Sequence, residues 1–134
     1  MNLPERISWA LSRLAIEPTH QVMEIGYGAG AAIPPIMAVL TSGSLTAVER
    51  STSMAQKAAN RYQPWIKNRQ LTLCTGEFSE VQLPHSHYNI IFAFNVNLFL
   101  AKANIELGII RQCLAPGGTF YLFFQPPPTT GMEK

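Results

Sequence analysis

The sequence predicts a single α/β domain whose parallel sheet is covered by helices on both faces. Short apolar stretches alternate along the chain with segments of helical periodicity, which is the pattern of β-α-β units. The predicted strands are almost continuously apolar, as expected for parallel strands buried on both sides. With 134 residues and a hydrophobic fraction of 47%, the chain can form one core, and we interpret residues 1–134 as one domain.

The first half of the chain begins with an amphipathic helix within residues 1–16. Ile7, Leu11 and Leu14 recur there at helical spacing, and Pro18 follows them. Two short strands then alternate with two helices. The predicted bounds are strand 21–25, helix 36–40, strand 44–48 and helix 51–65.

The second half repeats this alternation and ends in a polar segment. The predicted bounds are strand 71–75, strand 88–94, helix 103–114 and strand 119–125. Residues 116–118, Pro-Gly-Gly, are expected to terminate the helix. Residues 126–134 are rich in proline and polar side chains, so we expect an extended, flexible tail.

Composition argues against several classes of protein. Charged residues make up 13% of the chain and the net charge is +2, without a run of like charges, so nucleic-acid binding is not indicated. No apolar run approaches about 18 residues, and the charged N-terminus is unlike a signal peptide. We therefore expect a soluble, cytoplasmic protein that does not bind membranes. Cys74 and Cys113 are isolated and all eight acidic residues are glutamates, so neither a disulfide nor a metal site is predicted.

A glycine-rich segment, VMEIGYGAG at residues 22–30, ends the first predicted strand. It places Gly26, Gly28 and Gly30 at the carboxyl end of that strand, with Glu24 just before them. Glycine has no Cβ, so the backbone can turn sharply and a ligand can lie against its amides. Taken alone, the segment is also compatible with a tight turn that binds nothing.

Glu49 stands at the end of the second predicted strand, about twenty residues after the glycines. A carboxylate at this place can accept hydrogen bonds from both hydroxyls of a ribose. Taken alone, Glu49 would be interpreted as a solvated carboxylate. Together and in this order, the glycines and Glu49 predict a nucleoside cofactor on a Rossmann-like sheet.

The glycine spacing leaves the identity of the cofactor open between two classes. Gly26, Gly28 and Ala31 satisfy the loose pattern of nicotinamide dinucleotide-binding proteins. Two features argue against that class. Glu24 lies inside the strand, where dinucleotide folds usually have an apolar residue, and the segment LAPGGTFYLF precedes and forms the last predicted strand.

These motifs resemble those of the class I S-adenosylmethionine-dependent methyltransferases. The acid-x-Gly-x-Gly-x-Gly pattern matches residues 24–30, and TAVER, TGEF, YNIIFAFNVNLF and LAPGGTFYLFFQPPP follow in the family's order. The resemblance covers about residues 13–128. The cofactor-binding residues that it implies are Glu24, Gly26, Tyr27, Gly28, Gly30, Glu49, Arg50, Glu77, Phe78, Asn95 and Val96.

The resemblance implies S-adenosyl-L-methionine as the cofactor and methyl transfer as the activity. It places the transferred methyl group toward a pocket for a small-molecule substrate above Tyr27 and Asn95. Direct in-line transfer depends on positioning and desolvation and does not strictly require a general base. We therefore predict no catalytic residue. The side chains that could act near the substrate are His85, His87, Tyr27 and Trp9, and the alternative is that they are loop histidines and packed aromatics.

Two departures from the family pattern concern the first helix and the end of the sheet. Pro34 and Pro35 require that the helix begins late or bends there. The family's sheet continues with two antiparallel strands after the fifth, for which this sequence has no residues. We therefore expect a homo-oligomer, or a tendency to aggregate, through residues 120–125. The alternative is that residues 126–134 fold back over this edge.

A non-catalytic or truncated cofactor-binding domain is the alternative function, and a nicotinamide-binding domain is a weaker one. The prolines of DNA amino-methyltransferase motifs do not follow the fourth strand, so DNA methylation is not supported.

Overall fold

The computed structural model describes residues 5–94 and 103–124, which form alternating helices and strands. In chain order the elements are α1 (Glu5–Leu14), β1 (Gln21–Ile25), α2 (Ile33–Val39), β2 (Ser44–Glu49), α3 (Thr52–Arg61), α4 (Gln63–Lys67), β3 (Leu71–Thr75), a 3-10 turn (Phe78–Glu80), β4 (Tyr88–Phe94), α5 (Asn104–Cys113) and β5 (Leu114–Phe123). None of the described helices is long and apolar enough to cross a membrane.

The five strands form one sheet in the order β3-β2-β1-β4-β5. Every pairing is parallel, and Ile25 at the end of β1 lies in register with Val48 of β2 and Ala93 of β4. The carboxyl ends of the central strands therefore meet at one edge. The strand order reverses between β1 and β4, and open α/β sheets bind their ligands outside such a reversal point.

Helices cover both faces of this sheet, which confirms the predicted Rossmann-like α/β fold. On one face, α1 to α4 pack Ile7, Leu14, Ile36 and other apolar side chains against Val22 of β1. On the other face, α5 and the 3-10 turn pack against a second cluster that includes Met23 and Ile25. Adjacent residues of β1 thus enter different cores, and Met23 and Val22 are both fully buried. This explains why the strand is apolar at consecutive positions.

Prolines set the bounds of two helices. The predicted helix 51–65 is divided into α3 and α4, with Tyr62 between them and a proline in the first turn of α4. Proline lacks the amide hydrogen that a continuous helix would need there, so a new helix begins instead. Of the two alternatives for the first helix after β1, a late start or a bend, the structure shows the late start. Helix α2 begins at Ile33, before the predicted bound of residue 36, with proline in its first turn.

The ends of α1 and β5 differ from the predicted bounds. Helix α1 stops at Leu14, and Ala15 adopts a φ of 51°, in the left-handed region. Strand β5 begins at Leu114 rather than at residue 119, because Leu114 already pairs with Tyr88 before regular register resumes at Thr119. A Cβ at Gly118 would lie 2.7 Å from the Tyr88 carbonyl oxygen, so this irregular part of the strand requires glycine. The predicted tail at 126–134 lies outside the described residues.

Candidate cofactor-binding site

The glycine loop follows β1 at the carboxyl edge of the sheet. Gly26, Gly28 and Gly30 have φ values of 74°, 57° and 83°, a region that glycine enters without steric cost. The Gly26 N–H donates to the Val48 carbonyl oxygen at 2.7 Å, which holds the start of the loop against β2. The backbone therefore turns sharply beside the end of the neighbouring strand.

Gly28 and Gly30 serve different purposes in this loop. A Cβ at Gly30 would lie 3.2 Å from both the Ile33 Cδ1 and the Tyr62 Cε2 atoms, whereas a Cβ at Gly28 would meet no atom within 4 Å. The Tyr62 hydroxyl also donates to the Gly30 carbonyl oxygen at 3.2 Å. Gly30 is thus required for close packing, while open space remains at Gly28.

Glu49, the last residue of β2, connects the glycine loop to the start of α3. Its Oε1 accepts from the Gly28 N–H at 2.8 Å, and its Oε2 accepts from the Ser51 N–H at 3.0 Å. A carboxylate offers about four acceptor positions, so each oxygen retains capacity for another donor. The side chain is partly exposed, so a ligand at this edge can reach it.

Among the described residues, Glu24 is the one charged side chain that is buried. It is 3% exposed, and its Oε1 has no hydrogen-bond partner. Burial, and to a smaller extent the negative charge of Glu49, raises the pKa of Glu24 from 4.5 to about 8. At neutral pH this carboxyl group is therefore mostly protonated.

Tyr27, between the first two glycines, adds a second buried oxygen without a partner. Its side chain is 5% exposed and its hydroxyl oxygen makes no hydrogen bond. Burial raises its pKa to about 12, with smaller contributions from Glu49, Cys74 and Glu24. The structure thus brings the glycine loop, Glu24, Tyr27 and Glu49 together at the ends of β1 and β2.

The other predicted site residues are placed less closely together. Arg50 and Glu77 are exposed at the ends of β2 and β3, whereas Phe78 is buried in the core on the α5 side of the sheet. Asn95 and Val96 lie outside the described residues. His85 and His87 are exposed before β4, at the opposite edge of the sheet from the glycine loop.

Two supporting residues were not identified from the sequence. Ser51 accepts from the Met54 N–H at 3.3 Å as the N-cap of α3, and its own N–H holds Glu49. Tyr62 anchors Gly30 from the end of α3. A serine directly before a helical segment is a recognisable capping signal, but the contact of Tyr62 depends on tertiary packing alone.

A groove lies between α1 and the carboxyl ends of β4 and β5. It has a volume of about 930 Å³, and its lining includes Trp9, Phe94 and Phe123, with Glu5 and Arg6 as charged residues. The Phe94 and Phe123 rings stack at 5.2 Å between centroids, and Trp9 meets Phe123 edge-on at 5.9 Å. The indole of Trp9 is 55% exposed. Because β4 is paired with β1, the groove lies at the same edge of the sheet as the glycine loop.

Comparison with known proteins identifies the family. A family model described as a methyltransferase domain matches residues 23–120. The chain belongs to this methyltransferase family. The match includes the glycine loop, Glu49 and most of the sheet, and it confirms the resemblance found in the sequence motifs.

Two curated relatives of this methyltransferase-family chain are longer proteins. A highly reducing polyketide synthase of Neocamarosporium betae is 29% identical over 109 residues, which are 78% of this chain and 4% of that protein. The uncharacterized methyltransferase YdaC of Bacillus subtilis is 24% identical over 88% of this chain and 63% of its own length. The chain thus spans less than two thirds of either relative.

Solved methyltransferase structures share the fold. Phosphoethanolamine N-methyltransferase 2 of Haemonchus contortus, in complex with S-adenosyl-L-methionine, superposes with a TM-score of 0.77 at 18% identity, over 97% of this chain and 31% of that chain. A SAM-dependent methyltransferase from Aquifex aeolicus gives a TM-score of 0.73 at 17% identity, over 91% and 69% of the two chains. Both likenesses confirm the class I methyltransferase fold.

Proposed function

We propose that this chain binds S-adenosyl-L-methionine and transfers its methyl group to a small-molecule acceptor. The observation that carries the proposal is the contact between the Gly28 N–H and Glu49 at 2.8 Å. This hydrogen bond joins the glycine loop to the acidic strand end, which are the two parts of a nucleoside site. When bound, S-adenosyl-L-methionine supplies an electrophilic methyl group on its sulfonium sulfur.

The described residues fit this cofactor in three respects. Glu49 retains acceptor capacity for the two ribose hydroxyls beyond its bonds to the Gly28 and Ser51 amides. Open space at Gly28 leaves room for a ligand against the loop. Glu24 and Tyr27 present buried oxygens that still need partners. The assignments of Gly26, Gly30, Arg50, Glu77, Phe78, Asn95 and Val96 to the same site are part of this proposal.

The groove between α1 and the ends of β4 and β5 supports an apolar acceptor of small-molecule size. Its volume of about 930 Å³ lies in the range of about 300–1,000 Å³ that is usual for ligand pockets. Trp9, Phe94 and Phe123 would hold an acceptor in place and exclude water, and both effects accelerate an in-line transfer. The names of the similar proteins differ widely, from a polyketide synthase to a phosphoethanolamine N-methyltransferase, so we infer no particular acceptor from them. We assign no catalytic residue.

The assembly and location of the chain complete the proposal. Leu122 and Phe124 are 43% and 54% exposed at the end of β5, and this supports a homo-oligomer joined through residues 120–125. We also propose a cytoplasmic location. The partner we propose is a small molecule rather than nucleic acid or a membrane, because the net charge of +2 is low and dispersed.

Calorimetric titration with S-adenosyl-L-methionine and with NAD tests the proposed cofactor. We expect binding of the first and none of the second, and the reverse result would contradict the proposal in favour of a nicotinamide-binding domain. Release of S-adenosylhomocysteine over a panel of small-molecule acceptors then tests catalysis. Cofactor binding without turnover of any acceptor would favour the alternative of a domain that binds the cofactor without catalysis.

A further inference from the structure

Two buried side-chain oxygens without hydrogen-bond partners adjoin the glycine loop. They are the Glu24 Oε1 and the Tyr27 hydroxyl oxygen, and both side chains are almost fully removed from solvent. A carboxylate in this condition is strongly destabilised unless a positive charge or donors reach it. The folded chain therefore keeps Glu24 either neutral or paired with a cation.

The described strands and helices around Glu24 provide no such cation. Ala47 of β2 and Phe92 of β4 lie in register with Glu24, and both belong to the apolar core on its face of the sheet. Helix α2 covers this face with apolar residues such as Ile33 and Ile36. Among the described residues, the charged group that acts on Glu24 is Glu49, and it carries the same sign.

The other titratable groups near the end of β1 also cannot stabilise a carboxylate. Tyr27 of the loop and Cys74 of β3 interact electrostatically, and burial raises the pKa of both groups. Both are therefore neutral at pH 7. Because the described residues around Glu24 are apolar, neutral or negative, they favour its acid form in the absence of a ligand.

We propose that Glu24 is a neutral carboxylic acid in the unliganded chain and that cofactor binding displaces its proton, so that the resulting carboxylate pairs with the α-ammonium group of the cofactor. The O–H bond of the acid breaks, its proton passes to solvent, and the ammonium group keeps its own protons. The ligand's positive charge replaces the missing partner of Oε1. This inference rests on the function proposed above.

Displacement of one proton makes cofactor affinity depend on pH. Between pH 6 and pH 7 the free chain is protonated at Glu24, while an ordinary α-amino group, with a pKa of about 7.7–8.0, also keeps its proton. By linkage, the dissociation constant should then fall about tenfold for each unit of increasing pH.

Calorimetric titration at pH 6.5 in two buffers, phosphate and imidazole, measures the displaced proton directly. The full chain is titrated with S-adenosyl-L-methionine and, separately, with S-adenosylhomocysteine, which has the α-ammonium group but no sulfonium charge. We expect the binding heats in the two buffers to differ by the ionisation enthalpy of about one proton per ligand, for both ligands.

Two variants give matched controls. Glu24→Gln keeps the shape of the side chain but has no proton to lose, so the heats should agree between buffers and the dissociation constant should become independent of pH between 6 and 7. Tyr27→Phe removes the other unpartnered oxygen and should still release the proton. Loss of proton release in Tyr27→Phe but not in Glu24→Gln would overturn the assignment to Glu24.

The outcomes separate this inference from the proposed function. If neither ligand binds, the proposed function fails. If both ligands bind with equal heats in the two buffers, the proposed function stands and this inference is overturned. Proton release with S-adenosyl-L-methionine but not with S-adenosylhomocysteine also overturns it. Should Glu24→Gln not fold, carbon NMR of carboxyl-labelled glutamates in the unliganded chain decides: one signal with a midpoint near pH 8 supports the inference, and ordinary acidic midpoints for all of them overturn it.

Discussion

The two proposed ligand-binding regions at the carboxyl edge of the sheet are built in opposite ways. At the ends of β1 and β2, backbone amides and buried oxygens are arranged around Gly28 and Glu49. Between α1 and β5, aromatic side chains such as Trp9 and Phe123 line an open groove. The first region depends on backbone geometry, which few substitutions can preserve, whereas the second depends on aromatic side chains that can change one at a time. The proposed cofactor site and the proposed acceptor site can therefore vary independently.

Gly28→Val is expected to produce the largest effect and to confine it to the first region. The branched side chain would enter the open space at Gly28 and would also strain a φ of 57°, at a cost of roughly 1–2 kcal/mol of stability. Cofactor binding should weaken by at least about 100-fold, measured by calorimetry. Gly28→Asn, which tolerates this backbone conformation better, is the control for strain. Unchanged binding by Gly28→Val would mean that the loop is only a turn.

Glu24→Gln should change how stability depends on pH. The folded-state pKa of Glu24, about 8, exceeds its ordinary 4.5, so the folded state retains a proton that the unfolded state loses. Stability is then full below the unfolded pKa and falls as the pH rises toward 8. The wild-type chain should lose on the order of 3 kcal/mol between pH 5 and pH 8 from this group, and Glu24→Gln should not. The same change in the free energy of unfolding for both proteins between pH 5 and pH 8 would contradict the burial argument.

Glu49→Ala should weaken cofactor binding by about 1.5–3 kcal/mol, the usual range for hydrogen bonds to a charged group. The substitution removes the proposed ribose acceptor and also releases the Gly28 and Ser51 amides. Ser51→Ala is the matched control, because it removes the N-cap contact to Met54 and should destabilise α3 by about 1 kcal/mol without altering affinity. Equal dissociation constants for Glu49→Ala and the wild type would remove Glu49 from the site.

Trp9→Ala tests the second region and should leave the first unchanged. The lost aromatic contact is worth about 0.5–1.5 kcal/mol, so the KM for an apolar acceptor should rise roughly two- to tenfold. Cofactor affinity, measured by the same calorimetry, should remain that of the wild type. A weaker affinity for S-adenosyl-L-methionine in Trp9→Ala would show that the two regions are coupled.

Leu122→Lys is expected to have the smallest effect and to act on assembly. A charge at this exposed position on β5 opposes edge-to-edge pairing of chains. Light scattering should then detect a smaller particle than the wild-type oligomer, with cofactor affinity unchanged. A wild-type chain that is already monodisperse and monomeric at high micromolar concentration would contradict the proposed oligomer.

Much of the fold could be predicted because strand patterns and breakers are local. Continuous apolar runs predicted all five strands in order, and Pro34 explained the late start of α2. The early start of β5 was missed because Leu114 pairs with Tyr88, a residue distant in sequence. The division of the helix after Arg61 was also missed, although Pro64 provides a local signal for it.

The sequence by itself determined where the candidate site lies, because glycines and a glutamate at the ends of consecutive strands must meet at one edge of a parallel sheet. Only the tertiary structure decided what each residue does there. It separated Gly30, which packs against Tyr62, from Gly28, which faces open space. It also surrounded Glu24 with apolar neighbours from β2 and β4, and a protonation state depends on such three-dimensional surroundings rather than on position along the chain.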